Sequence, residues 1–350
     1  AKKAWADHGQ AEMSADVSPL NRAEPEGSIE PMLALTAQGM NHVNAVILDR
    51  MQSEVALIPE LAGHLIAGGG KRMRPMLTLA CARLLDYGGT RHHKLAAAVE
   101  FIHTATLLHD DVVDMSGLRR GRRTANIIWG NPASVLVGDF LFSRSFELMV
   151  EDGSLKVLKI LSGASAIIAE GEVDQLTAQR KIDTSEERYL NIIRAKTAAL
   201  FAAASRIAAV IAECSDEQEQ ALDEYGRNLG VAFQLVDDAI DYVSDAGTMG
   251  KDAGDDFREG KMTLPVILAY ARGDEEERAF WKAAIGGFRT SDDDLEQAIA
   301  LIDRHGAVDD TKLRARHFAQ RAIDALSIFP DSTARQAMTQ AALFAVARGY

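Results

Sequence analysis

The sequence predicts an all-α fold: one large helical bundle around a central cavity. Three observations lead there. From Ser28 onward, apolar residues recur every three or four positions almost without interruption. No convincing pair of β-strands is present. Two stretches of the same form, Asp110-Asp111-Val112-Val113-Asp114 and Asp237-Asp238-Ala239-Ile240-Asp241, fall in long apolar helical segments. Two such clusters are hard to explain as surface charge, but readily explained if one domain brings them to one cavity mouth.

Taken in order, residues 1–28 carry Pro19, Pro25, several acids and few large apolar groups, and read as a loosely ordered tail. Residues 29–350 read as a single domain. Helical periodicity covers 30–48, 51–66, 73–86, 92–115, 133–150, 154–180, 184–212 and 216–243. The breaks coincide with Gly68-Gly69-Gly70, Gly88-Gly89, Gly130-Asn131-Pro132 and Gly153. Asp183-Thr184-Ser185-Glu186-Glu187 has the form of a helix start, an N-cap followed by an acidic first turn. Ala198 to Ala212 is the most apolar run, but it is short and carries Arg206, so it predicts a buried helix and not a membrane span. The last third predicts shorter helices at 263–272, 276–286, 291–305, 309–328 and 331–347.

With 350 residues, 47% of them hydrophobic, the chain can bury a large core. Its net charge of −13 argues against nonspecific nucleic-acid binding, which needs a basic surface. Cys81 and Cys214 lie in apolar helical contexts and predict buried free thiols in a reducing cytoplasm. Lys2 and Lys3 precede WADHGQAEM, which is too polar for a signal-peptide core, and early acids argue against a transit peptide.

The chemistry is expected at the aspartates. On a helix, Asp110 and Asp114 share one face, with Asp111 about 100° round. Such crowded carboxylates repel one another unless a proton or a cation sits between them, and hard oxygens with open positions suit magnesium bridging to a phosphate. Gly69-Gly70-Lys71-Arg72-Met73-Arg74-Pro75 sets three cations before a helix without P-loop spacing; Lys71 and Arg74 can meet an anion there. His103 lies two turns before Asp110 on nearly the same face. Arg119, Arg120, Arg122 and Arg123 follow the first cluster and are natural forks for diphosphate oxygens. Lys196-Thr197 puts a cation and a hydroxyl in an apolar helix, and Gln234 shares the face of Asp237. Lys251 sits in a glycine-rich loop and Lys261 just after it, where closure over a diphosphate is expected.

These residues together resemble the all-trans polyprenyl diphosphate synthases of the isoprenoid synthase superfamily, especially the long-chain bacterial type. The resemblance runs from about Ile29 to Tyr350 through GGKRMRP, EFIHTATLLHDDVVD, LRRGRRTAN, GNPASVLVGDFLFSR, AEGEV, RAKTAALF, FQLVDDAIDY, GKDAGDD and EGKMTLP. It implies that Asp110 and Asp114, with Asp111 in support, bind magnesium on an allylic diphosphate, farnesyl or geranylgeranyl. Asp237 would take a further magnesium, with Asp241 acting through water. Lys71, Arg74, His103 and Arg120 would hold isopentenyl diphosphate; Arg119, Lys196, Lys251 and Lys261 would hold the allylic diphosphate. Thr197 and Gln234 would offer oxygen dipoles to the reacting carbons. Small residues at Ala105 and Thr106 would admit a long product, the ubiquinone side-chain precursor. A homodimer without a transmembrane segment is implied, with transient membrane contact for product release.

Asp174 departs from the pattern, since similar proteins carry an apolar residue there; with Glu170 it is expected to add charge to one helix face. A terpene cyclase would replace the second DDxxD and lack GGKRMRP. A head-to-head coupling enzyme would also lack that basic motif, and a noncatalytic partner subunit would have damaged clusters. None of these patterns is present.

Overall fold

The computed structural model describes residues 27–67, 70, 72–119, 121–243, 254–287 and 289–347. The expected tail therefore lies outside the described residues, apart from Gly27 and Ser28. In chain order the helices are α1 Glu30–Arg50, α2 Leu57–Ala67, α3 Met73–Leu84, α4 Arg91–Val113, α5 Ala125–Trp129, α6 Asn131–Asp152, α7 Leu155–Ala178 and α8 Glu186–Ile193. They continue with α9 Ala199–Ile211, α10 Asp216–Ile240, α11 Asp255–Glu259, α12 Leu264–Arg272, α13 Glu275–Trp281, α14 Asp292–Arg304, α15 Ala307–Ala325 and α16 Thr333–Ala347. The predicted all-α class holds.

Four local readings need correction. A two-stranded antiparallel ribbon does exist, β1 Leu118–Arg119 with β2 Arg122–Arg123, too short to leave a period-two signal. The periodic span 51–66 begins as a turn, and its helix starts only at Leu57. The span 184–212 is broken by a π turn, Arg194–Ala198, between α8 and α9. Cys214 is half-buried in the loop after α9, whereas Cys81 is fully buried as expected; both are free thiols.

Two apolar cores form, and α10 feeds both. Leu222, Tyr225 and Leu229 join the core built from α1, α3, α4, α6, α7 and α9. Val231, Leu235 and Val236 join the one around Trp281, Phe257 and Leu301. Burial of side chains this size contributes roughly 1.5–3 kcal/mol each. Polar side chains tie the layers: Thr78 donates to the Ala204 carbonyl at 2.7 Å, and Tyr225 donates to the Met338 carbonyl at 2.8 Å. Ser215 starts α10 with a capping box shared with Gln218.

Small residues set the spacing that matters for the site. A Cβ added at Gly230 of α10 would lie 2.7 Å from the Cα of Ala198, so only glycine lets α10 approach the π turn this closely. Gly171 of α7 plays the same part from the other side: its Cβ would stand 2.7 Å from that of Ala195. Two helices, α7 and α10, thus converge on Arg194–Ala198. Among the described residues no helix is long and apolar enough to cross a membrane.

Candidate active site

Both aspartate clusters terminate helices. Asp114 is the C-cap residue of α4, and Asp241 is the C-cap residue of α10. Carboxylates at the negative end of a helix dipole are electrostatically unfavourable, so each cluster needs nearby donors or cations. The structure supplies them around one cavity of about 810 Å³, which both clusters line.

At the first cluster two lysines stand against the acids. Lys196 Nζ lies 2.9 Å from Glu172 Oε2 and 3.8 Å from Asp110 Oδ2. Lys261 Nζ lies 3.1 Å from Asp114 Oδ2 and also meets Asp256 and Glu259. Burial pushes the Asp110 carboxyl above its ordinary range; Lys196 opposes the shift and Asp114 adds to it. Glu172 is raised likewise, by burial first. Burial works against the charge of Lys196, yet Asp110 and Glu172 outweigh it and hold the ammonium above its ordinary pKa. Lys261 follows the same pattern through Asp256, Asp114 and Glu259. Asp111 is paired differently from its neighbours. Its carboxylate is completely buried, and Oδ1 accepts from Arg119 Nε at 2.9 Å and Nη2 at 2.7 Å.

At the second cluster the buried middle acid, Asp238, takes neutral donors. Asp238 Oδ2 accepts from the Tyr189 hydroxyl at 2.5 Å, and Oδ1 accepts from Gln234 Nε2 at 2.7 Å. Thr197 Oγ1 donates to Gln234 Oε1 at 2.8 Å. Burial, and then the charge of Asp256, push the Asp238 carboxyl up to about 7 despite those donors. Tyr189 is raised well above its ordinary value by burial and by Asp238. Asp241 caps backbone: its Oδ2 accepts from the Asp256 amide at 3.0 Å. Asp237 lines the cavity beside them.

The π turn explains how the clusters meet. Its wider winding carries consecutive residues to opposite walls: Lys196 reaches Asp110 of α4, and Thr197 reaches Gln234 of α10. π turns are commonly found at functional sites for this kind of re-aiming.

Arg74 and His103 adjoin in the same cavity, Arg74 Nη1 standing 3.1 Å from His103 Nε2, with the guanidinium stacked 4.6 Å over the Phe201 ring. His64, Arg122 and Arg123 add basic groups to the lining. Thr106 lines the cavity. Ala105 is 1% exposed and is not among the lining residues. Lys71, Arg120 and Lys251 lie outside the described residues. Asp174 lies on the outer side of α7, where Oδ1 accepts from Arg188 at 2.6 Å, and does not line this cavity.

Sequence reasoning missed Glu172, Tyr189 and Asp238 as site residues. Asp238 was visible within DDxxD, and Glu172 within AEGEV. Nothing local marked Tyr189, whose partner is far away in the chain.

Among the described residues no three His, Cys, Asp or Glu side chains converge as a ready-made metal site. The donor chemistry nevertheless fits magnesium. It binds through one or two carboxylates plus substrate phosphates, and the cavity offers hard oxygens on both walls.

Comparison with known proteins agrees with this geometry. The polyprenyl synthetase family model matches residues 55–302. The octaprenyl diphosphate synthase of Escherichia coli (strain K12) is 46% identical over 323 residues, covering 92% of this chain and 99% of that protein. An all-trans-nonaprenyl-diphosphate synthase (geranyl-diphosphate specific) of Rhodobacter capsulatus is 44% identical, covering 91% and 98%. A polyprenyl synthase structure from Caulobacter crescentus CB15, complexed with calcium and isoprenyl diphosphate, superposes with a TM-score of 0.91 at 53% identity, over 94% of this chain and all of that one. A decaprenyl diphosphate synthase structure from Rhodobacter capsulatus gives 0.88 at 53% identity, covering 92% and 100%. The chain belongs to the polyprenyl synthetase family and is a prenyltransferase.

Proposed function

We propose that this enzyme condenses an allylic diphosphate, farnesyl or geranylgeranyl, with successive isopentenyl diphosphates, head to tail. The product is a long-chain all-trans polyprenyl diphosphate destined for the ubiquinone side chain. One observation carries the reading: adjacent residues of one π turn, Lys196 and Thr197, reach two walls of one cavity that each end in DDxxD. Residues 29–350 then act as one catalytic domain.

Asp110, Asp114, Asp237 and Asp241 would hold magnesium, which supplies Lewis-acid charge on the diphosphate oxygens when bound. Lys196, Lys261 and Arg119, with Lys251, neutralise the departing diphosphate. The allylic C–O bond breaks, its electron pair leaves on the diphosphate, and positive charge develops on the allylic carbons. Arg74 and His103, with Lys71 and Arg120, hold isopentenyl diphosphate so that its double bond attacks that carbon. A proton is then lost to the released diphosphate. Thr197 and Gln234 turn oxygen dipoles toward the charge, a stabilisation that is strong where water is excluded.

The tail is read as running down past the residues one turn before Asp110. The names of the relatives differ in length, octa-, nona- and decaprenyl, so kinship alone does not set the product. Because Thr106 lines the cavity, Thr106→Phe is expected to shorten the product. Ala105→Phe does so only if that wall opens to the growing chain. The reading includes a cytoplasmic homodimer. Pairing of two copies would cover the exposed apolar residues Ile127, Ile128, Val135 and Leu136.

The test is incubation of the purified chain with farnesyl diphosphate, labelled isopentenyl diphosphate and magnesium, followed by reverse-phase analysis of the dephosphorylated products. Magnesium-dependent label in chains longer than geranylgeranyl is expected. A product ending at geranylgeranyl, or no incorporation, would overturn the proposal.

A further inference from the structure

The second cluster contains one acid that is almost wholly buried. Asp238 is 4% exposed, and both of its oxygens are engaged by neutral donors on two different helices. Tyr189, 3% exposed, comes from α8 and donates to Oδ2 at 2.5 Å. Gln234, one turn earlier on α10, donates its amide nitrogen to Oδ1 at 2.7 Å. With its nitrogen committed to Asp238, the Gln234 amide has one orientation left for its oxygen. That oxygen accepts from Thr197 at 2.8 Å. The Thr197 hydroxyl hydrogen is committed in turn, so its lone pairs remain for the cavity that both residues line.

We propose that Tyr189 and Asp238 are positioning residues for prenyl transfer: they fix the Gln234 amide so that acceptor oxygens, not N–H groups, face the developing allylic cation. The inference rests on the prenyl-transfer reading given above. Its physical basis is that a primary amide presents opposite dipoles at its two ends. Turned over, Gln234 would put two N–H donors where the charge develops, changing stabilisation into repulsion. The amide cannot choose correctly by itself, since Thr197 can donate or accept. A carboxylate can only accept from an amide, and Tyr189 holds that carboxylate in place from a third element.

The arrangement predicts a specific kinetic signature. Tyr189→Phe keeps the ring and removes the hydroxyl, so Asp238 loses the donor that fixes its plane. Asp238→Asn offers one acceptor where the carboxylate offered two, so Tyr189 and Gln234 compete for it and the amide turns over. Neither change touches the groups that hold the two diphosphates.

The experiment measures the first condensation in single turnover, with enzyme in excess over farnesyl diphosphate, magnesium present, and the enzyme and isopentenyl diphosphate concentrations varied in turn. Folding of each variant is checked by circular dichroism. For Tyr189→Phe the maximal rate is expected to fall on the order of tenfold, while half-saturating concentrations of both substrates stay within about twofold. Asp238→Asn is expected to show the same split, and it decides the matter if Tyr189→Phe fails to fold. A folded variant that condenses at the wild-type rate, or one whose loss lies wholly in half-saturation, overturns the inference. If the wild-type chain itself transfers no prenyl group, the functional reading fails, and the inference with it.

Discussion

The ends of α4 and α10 carry the same five-residue pattern and neutralise it in different ways. At α4 the outer acids, Asp110 and Asp114, meet lysine ammonium groups, and the buried middle acid, Asp111, holds an arginine. At α10 the buried middle acid, Asp238, holds a tyrosine and a glutamine, and the last acid, Asp241, caps backbone. A shared pattern therefore does not mean identical duty. The first end is surrounded by charges that can transfer to an arriving diphosphate. At the second, the buried middle acid is locked to groups that orient neutral dipoles. The difference comes from what packs against each helix, not from the motif.

The largest expected effect treats the two ends alike. Asp110→Ala or Asp237→Ala should each reduce turnover at least about a thousandfold while leaving the circular dichroism spectrum helical. Near-normal activity in either, with magnesium supplied, would remove that end from the chemistry. A smaller effect separates the substrates. Lys196→Ala should chiefly raise the KM for the allylic diphosphate, and Arg74→Ala or Lys71→Ala that for isopentenyl diphosphate. Each lost charge-assisted contact is worth roughly 1.5–3 kcal/mol. Steady-state kinetics with each substrate varied would reveal a reversed pattern if the two subsites have been exchanged.

The sharpest contrast between the ends concerns stability. Asp111→Asn strips the Arg119 guanidinium of its buried counter-charge and should cost about 2 kcal/mol, less than a fully buried pair would because Arg119 is partly exposed. Asp238→Asn keeps a polar group among neutral donors and relieves a buried carboxyl whose pKa is raised, so it should cost less than about 1 kcal/mol. Chemical denaturation at pH 8 would test this, and equal losses would mean that the two middle acids are equivalent after all.

The smallest effect tells the aspartates apart from the opposite end of α4. There, burial drives His92 from 6.5 down to about 4, beside the rings of His93 and Tyr87. A lowered histidine pKa gives stability that is complete above 6.5 and is lost as pH falls toward 4, because the unfolded chain takes the proton first. Asp110 and Glu172 are raised, so their protonation in acid favours the folded state and cannot cause that loss. Thermal melts from pH 7 to 4 should therefore fall less steeply in His92→Asn than in the wild type. An unchanged slope would assign the acid sensitivity elsewhere.

Much of this was legible in the sequence, for identifiable reasons. The helices follow from three- and four-residue periodicity, and the charged site residues from their clustering before, within and after apolar helices. Asp110, Asp114, Lys196, Thr197, Gln234 and Lys261 all meet in one cavity, as the motifs imply. What escaped depends on contacts between distant segments. The π turn has no composition of its own; what marks it is the close approach of two helices through Gly171 and Gly230. Tyr189 looks like an ordinary core aromatic until α10 brings Asp238 to its hydroxyl. Asp174, expected with Glu170 to add charge to one helix face, pairs there with Arg188 outside the cavity.

The central claim is that both helix ends grip one diphosphate through magnesium. The most direct measurement is calorimetric binding of farnesyl thiolodiphosphate, an unreactive analogue, with and without magnesium, to the wild type, Asp110→Asn and Asp237→Asn. Binding to the wild type should require magnesium, and each substitution alone should weaken it by at least about tenfold. If either variant bound the analogue as tightly as the wild type, the two ends would not share one diphosphate.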